Sequence, residues 1–171
     1  MSGEPITQDE LLVLFEAARW APSAGNTQPC RILYAHRDSE HWRLFFDLLV
    51  ERNQAWCRNA AVLLLFISRT VNGQTGRPLK THSYDSGAAW ENLALQGTLR
   101  GFVVHGMAGF DYARARTALN IPDDFQVEAM AAVGKPGPVE SLPAEFQQRE
   151  VPSLRKPVSE LVFNGPYSNA Q

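Results

Sequence analysis

Residues 7–35, TQDELLVLFEAARWAPSAGNTQPCRILYA, contain a capped apolar segment, a polar loop and a second apolar run in direct succession. Thr7 and Glu10 have the spacing of a capping box, which predicts that a helix begins there. Apolar residues then recur at helical spacing, and Pro22 disfavours helix at the residue before it, so we expect the helix to end at Ala21. A helix, a loop and a strand are therefore predicted in this order.

The polar loop has two interpretations on its own residues. Residues 22–29, PSAGNTQP, combine two prolines, a glycine and side chains that bond nearby backbone. They form either an ordinary turn or a binding loop that presents Ser23, Asn26, Thr27 and Gln28. The apolar residues 30–35 that follow are predicted to form a strand.

Outward from this stretch, helical and strand patterns alternate around what we predict to be a single sheet. Asp38-Ser39 offers a helix cap for a broad apolar face over 42–50. Residues 62–67 are apolar on both alternating faces, which indicates a strand covered on both sides. The other expectations are a mobile loop over 69–80, helices over 85–100 and 111–119, and strands over 102–107 and 127–133.

The end of the chain has a different character. Six of the eleven prolines lie in residues 136–171, so neither a long helix nor a central strand is expected there. The same segment is too apolar to trail in water. We therefore expect an extended C-terminal arm over 135–171 that lies on its own domain or on a second subunit. The second subunit is favoured because only about 135 residues remain to bury the arm.

Length and composition exclude several classes of protein. The 171 residues fit one domain, taken as 1–171, and the net charge of −2 gives no general field for nucleic acid. The longest apolar run falls well short of the ~20 residues that cross a bilayer, and a secretory signal is absent, so a cytoplasmic location without membrane association is expected. Two cysteines and four scattered histidines give no metal site.

Three features carry candidate chemistry. The first is the polar loop 22–29. The second is the segment 105–110, whose two glycines let backbone amides approach a flat ligand or simply make a tight turn. The third consists of Arg149, Arg155 and Lys156, which are either anion ligands or solvated charges.

Together these features resemble a known family. The stretch 16–31, EAARWAPSAGNTQPCR, is similar to the signature of the FMN-dependent nitroreductase family. The family's later motifs resemble, in the same order, Asn53, Asp85-x-Gly87-x-Ala89, 106–111 (GMAGFD), 133–136 (VGKP) and 155–157 (RKP). The resemblance covers nearly the whole chain.

The resemblance implies a fold and an assembly. The family has an α+β, three-layer fold with a central mixed sheet flanked by helices. Its members are obligate homodimers that hold two FMN molecules at the interface, and C-terminal arms wrap the partner. This implied assembly agrees with the separate expectation that the arm 135–171 lies on a second subunit.

The resemblance also implies cofactor-binding roles for ten residues. Pro22, Ser23 and Asn26 would contact the isoalloxazine from the partner subunit, and Asn53 would bond its polar edge. The amides of Ala108 and Gly109 would face the hydride-accepting nitrogen, and Arg155 and Lys156 would meet the phosphate. The same motifs add two more residues to the cofactor site, Gln28 and Met107.

The implied activity is hydride transfer from NADH or NADPH through FMN to a small electron acceptor such as a nitroaromatic or a quinone, by a ping-pong mechanism. Because the flavin supplies the chemistry, no catalytic side chain is singled out. An alternative stays open, in which a flavin-poor, non-catalytic relative binds a ligand or partner in the same dimer cleft. The flavin content of the protein separates the two.

Two departures from the family pattern bear on these expectations. Members begin with an Arg-Ser-x-x-Arg-like segment ahead of the first helix, whereas this sequence starts with residues like those that follow it, as expected of a late start or of a loss. Phosphate binding would then rest on Arg155 and Lys156. Cys30 also occupies a position where the family commonly has Trp.

Overall fold

A computed structural model describes residues 1–167 of the chain. Its helices are α1 (Gln8–Arg19), α2 (Trp42–Phe46), α3 (Glu51–Cys57), α4 (His82–Leu99), α5 (Tyr112–Ala118) and α6 (Ala144–Gln147). Its strands are β1 (Cys30–His36), β2 (Val62–Arg69), β3 (Val103–Met107) and β4 (Phe125–Gly134). Single turns of 3₁₀ helix cover Ala24–Asn26, Val139–Ser141 and Val158–Glu160.

The four strands form one sheet in the order β1-β2-β4-β3, and every neighbouring pair is antiparallel. The expectation of a mixed sheet is therefore wrong for the described strands. The cause is the position of β4, which lies between β2 and β3. The two strands that α4 connects run in the same direction, but they do not pair with each other.

Strand β2 is the centre of the three layers. Its residues from Val62 to Ser68 are all buried, as the apolar run predicted. Leu63, Leu65 and Ile67 pack on one side in a core cluster shared with α2 and α5. Val62, Leu64 and Phe66 pack on the other side with α1 and α4. Each fully buried aliphatic side chain of this kind contributes roughly 1.5–3 kcal/mol. The predicted α+β, three-layer fold is confirmed.

The capping box at the first helix is confirmed. The Thr7 hydroxyl accepts a hydrogen bond from the Glu10 amide at 3.2 Å, and the Thr7 amide donates to Glu10 Oε2 at 2.8 Å. Helix α1 ends at Arg19, two residues before the predicted end at Ala21. The chain leaves the helix there because Ala21 precedes a proline and disfavours the helical conformation.

The single helix predicted over 42–50 is wrong, since the chain forms α2 and α3 with a break between them. Leu49 makes an antiparallel bridge to Phe110, and the Val50 amide donates to the Gly109 carbonyl at 3.1 Å. These long-range bonds hold the backbone extended at Val50 and stop α2 early. Asp38 and Ser39 do not cap the helix, because His41 occupies the N-cap position.

The remaining boundaries differ by a few residues. Helix α4 begins three residues before the predicted start, and β2 and β4 extend beyond their apolar runs. The segment 69–80 contains a hairpin, in which Val71 bridges Pro78 and the Asn72 amide donates to the Arg77 carbonyl at 2.8 Å. Within residues 1–167 no helix has the length and apolar character needed to cross a membrane.

The arm lies largely open to solvent in the single chain. Leu154 is 96% exposed, and Val151, Val158, Leu161 and Val162 are each more than half exposed. Residues 168–171 of the predicted arm lie outside the described residues. An exposed apolar set of this size is typical of a surface that a partner covers.

Helix α4 packs closely against β3 and α1 at Gly97. A Cβ atom at this position would contact Val104 Cγ2 in β3 and would lie 3.5 Å from Leu14 Cδ2 in α1. The small residue predicted to allow close approach therefore does so here. At Gly97 the sheet and both helices are so close that no side chain fits between them.

We predict that Gly97→Ala lowers the free energy of unfolding by about 1–3 kcal/mol, although alanine favours helix over glycine, because the added methyl overpacks the contact with Val104. Chemical denaturation measures the change. In a Val104→Ala background, Gly97→Ala should lower the free energy of unfolding by much less, because the methyl group then has room. An equal loss in both backgrounds would contradict this account of the packing.

Candidate functional site

The loop set, defined as Pro22, Ser23, Asn26 and Gln28, is held in a strained conformation. Asn26 and Gln28 have φ angles of 55° and 47°, in the left-handed region that side chains other than glycine seldom adopt. The Ser23 hydroxyl accepts a hydrogen bond from the Gln28 amide at 2.9 Å and closes the loop. Strained backbone of this kind clusters at binding sites, which favours the binding-loop interpretation over an ordinary turn.

Asp85 anchors this loop to helix α4. Its side chain is 5% exposed, and its Oδ2 atom accepts hydrogen bonds from the Ala24 amide at 3.2 Å and the Thr81 hydroxyl at 3.1 Å. A buried carboxylate requires such partners. The first turn of α4 therefore fixes the position of the loop set.

A cavity of about 360 Å³ opens beside the loop. Pro22, Ser23 and Gln28 line it together with Asp85 and Cys30. Burial raises the pKa of the Cys30 thiol, so the thiol is uncharged at physiological pH. Asn26 is exposed and is not among the residues that line the cavity.

The strand-end set, defined as Asn53, Met107, Ala108 and Gly109, lies where β3 ends. Asn53 Nδ2 donates to the Gly109 carbonyl at 2.9 Å, and the Trp56 indole donates to Asn53 Oδ1 at 3.2 Å. A Cβ atom on Gly109 would lie 2.7 Å from Asn53 Nδ2, so only glycine fits there. Asn53 and Gly109 are thus in direct contact, although 56 residues separate them in the chain.

Two backbone amides at this point are available to a ligand. Within residues 1–167, the amides of Ala108 and Gly109 donate to no backbone acceptor, and Ala108 is exposed. Met107 is different, because its side chain is buried in the core cluster and leaves only its backbone near the surface. Adjacent free amides at a strand end can bind an electron-rich atom.

A second cavity, of about 500 Å³, adjoins Asn53. The rings of Trp56 and His105 pack against each other on its wall in a tilted arrangement, with centroids 4.6 Å apart. Burial lowers the pKa of His105, although the charge of Glu150 opposes the shift. The imidazole is therefore neutral at physiological pH. Arg149, a candidate from the sequence, lines the same cavity.

The arm set, defined as Arg155 and Lys156, lies apart from the other two sets. Arg155 donates to the Ser153 hydroxyl at 2.6 Å, and Lys156 pairs with Glu160 at 3.6 Å. Between residues 1 and 167, no hydrogen bond or ion pair connects the arm set to the loop set or the strand-end set. One chain therefore presents three separate groups of candidate residues.

Sequence reasoning missed a polar cluster on the α4 side of the sheet. Ser68, His82, Ser83 and Glu128 are joined by hydrogen bonds there. The signal in the sequence is Glu128, the one acidic residue within the apolar run 127–133. A partly buried carboxylate in a strand that is mostly buried requires a specific partner or a function.

Comparisons with known proteins agree with this architecture. The model of the Nitroreductase family matches residues 2–135. A solved oxidoreductase containing FMN is 46% identical, with a TM-score of 0.94, over 98% of this chain and 86% of that one. A nitroreductase family protein from Streptococcus pneumoniae TIGR4 is 19% identical, with a TM-score of 0.73, over 95% of this chain and 92% of its own.

A relative from Mycolicibacterium smegmatis is known as an uncharacterized 15.4 kDa protein in the ask 5′ region. It is 28% identical over 122 residues, which are 71% of this chain and 81% of the relative. Because the family model covers most of the sequence, the chain belongs to the nitroreductase family. The resemblance seen in the sequence motifs is confirmed.

We predict that Asp85→Ala releases the loop set from α4. The Ala24 amide would lose its acceptor, which lowers the free energy of unfolding by about 1–3 kcal/mol and increases hydrogen exchange at that amide. Asp123→Ala, which removes an exposed carboxylate, is the matched control and should change stability by less than about 0.5 kcal/mol. Unchanged exchange at Ala24 in Asp85→Ala would contradict the anchoring role.

Proposed function

We propose that this protein is a homodimeric oxidoreductase that binds FMN and transfers hydride from NADH or NADPH to electron-poor acceptors such as nitroaromatics and quinones. The observation that carries the proposal is the pair of free amides at Ala108 and Gly109 beside the fixed side chain of Asn53. Membership of the family and the similarity to an oxidoreductase containing FMN support the choice of cofactor.

The residues present fit a flavin. An isoalloxazine ring is flat and carries hydrogen-bond acceptors along one edge, which suits a wall where Gly109 allows close backbone approach. Asn53 Nδ2 has a second N–H beyond the one that it donates to Gly109. Bound FMN would supply the hydride-transfer chemistry that the protein's own side chains lack.

The protein's own contribution is to hold the cofactor and to polarise its ring. The Ala108 and Gly109 amides are fixed at the strand end, where they stabilise negative charge that develops on a bound ring. Asn53 is fixed by Trp56 and Gly109, so it orients the polar edge without rearranging. Arg155 and Lys156 supply the positive charge for the phosphate, since a guanidinium and an ammonium both bind oxyanions well.

A second subunit would bring the separated groups together. The exposed apolar residues of the arm have no cover in the single chain, and on α4 Tyr84 and Leu99 are each 82% exposed. In the dimer that we propose, these surfaces would be buried and the loop set of one protomer would lie against the strand-end set of the other. The arm 135–171 would then embrace the partner.

Reductant and acceptor would both have to reach the same ring of the cofactor, so they would share the open side of the site. They must therefore bind in turn. This geometry favours a ping-pong mechanism, in which the protein needs no acid or base of its own near the ring for the hydride step.

The test is the flavin content and turnover of the purified full chain. We expect a yellow protein with about one FMN per protomer that oxidises NADH or NADPH only when a quinone or a nitroaromatic is present. Plots of reciprocal initial rate against reciprocal NADH or NADPH concentration, at several fixed acceptor concentrations, should be parallel lines. A colourless protein that cannot be reloaded with FMN and shows no turnover would favour a non-catalytic relative that binds a ligand in the dimer cleft.

A further inference from the structure

Glu128 occupies an irregular position in the sheet. Along β2, Phe66 pairs with Ala129 and Ile67 pairs with Val127, so Glu128 is the extra residue of a β-bulge in β4. A bulge breaks the alternation of side chains and redirects one of them. Here it directs the Glu128 carboxylate to the side of the sheet where α4 lies, since Ser83 of α4 bonds it.

The carboxylate is fixed by residues from two elements. Ser68 of β2, which is fully buried, donates its hydroxyl proton to Glu128 Oε1, and Ser83 donates to the same atom at 2.7 Å. His82 Nδ1 lies 2.7 Å from Ser68 Oγ and 3.5 Å from Glu128 Oε1. Because the one Ser68 proton is given to Glu128, His82 is the donor to Ser68.

This carboxylate faces a cavity of about 400 Å³. Phe66 and Trp90 supply aromatic walls, and Ala108 of the strand-end set lines the same space. Among the described residues that line the cavity, Glu128 alone is charged. A charge at the wall of an aromatic cavity is a selective feature rather than a packing feature.

A second polar group lines the same cavity. Ser86 is 3% exposed, and its hydroxyl lies beside the Cys30 thiol, a weak hydrogen-bond partner, without a nitrogen or oxygen partner within residues 1–167. A polar substituent of a bound molecule would be a stronger partner for this hydroxyl.

We propose that Glu128 determines the charge specificity of the acceptor site. The cavity would bind flat aromatic acceptors that are cationic or carry a hydrogen-bond donor, and it would reject those with an anionic substituent. The inference rests on the proposed function, because Ala108 connects this cavity to the site assigned to the flavin. The mechanism is electrostatic repulsion. An anionic substituent would lie close to the fixed negative charge of Glu128, and the cavity would offer it few hydrogen-bond donors.

The test uses three matched nitroaromatics as probes: 4-nitrobenzylamine as cation, 4-nitrobenzyl alcohol as neutral molecule and 4-nitrobenzoate as anion. Isothermal titration of the full chain gives a Kd for each, both with FMN loaded and without it. We expect the cation to bind at least about tenfold more tightly than the anion, because one charge contact in a partly solvated cavity changes the Kd by at least that factor.

Glu128→Gln keeps the oxygen that accepts from Ser68 and Ser83 and removes only the charge. In this variant the ratio of cation to anion affinity should fall to about one. Glu40→Gln, which removes a carboxylate from an exposed position outside the cavity, is the control and should keep the wild-type ratio. An unchanged ratio in Glu128→Gln, or failure of all three probes to bind, would overturn the proposal.

A measurement on the wild-type chain covers the case in which the variant does not fold. Raising the ionic strength from about 0.05 M to about 0.5 M should reduce the affinity ratio, since salt screens the charge contact. A ratio independent of salt would overturn the proposal. A chain that never binds FMN but shows the charge preference would refute the proposed function and leave only the role of Glu128 in the charge selectivity of this cavity. FMN binding without the charge preference would overturn this inference and leave the proposed function standing.

Discussion

The burial of β2 on both faces is the constraint on which the rest of the structure depends. A strand with apolar residues on both sides needs a layer of helices above and below it. Helix α4 covers one face, and its first turn carries Asp85, which anchors the loop set. Helices α2 and α5 cover the other face, beside the short α3 that carries Asn53. The central strand therefore separates the loop set, on the α4 side of the sheet, from Asn53, which lies on the other side.

Features governed by local sequence were predictable. The capping box at Thr7, the doubly buried β2 and the loop set all follow from residues that are close in the chain. The break between α2 and α3 was not, because Leu49 and Val50 are held extended by Phe110 and Gly109 about sixty residues away. The spacing of apolar residues alone predicted a helix that continues across that point.

The candidate site shows the same division. Motifs in the sequence identified Asn53 and Gly109 separately, and the structure adds that they bond each other directly. The bulge at Glu128 depends on the pairing of β4 with β2, so its direction could not be inferred from a single strand. Of the predicted residues, Met107 is part of the core, and the arm set remains apart from the others in one chain.

The central claim is that two chains complete one site, and a heterodimer tests it most directly. Asn26→Gly and Asn53→Ala each damage one half of the site, and glycine suits the positive φ of Asn26. Co-expressed with different tags and purified as a heterodimer, these two variants should regain about half of the wild-type FMN content and turnover, because one of the two sites then contains neither change. A heterodimer no better than either homodimer would contradict the shared site.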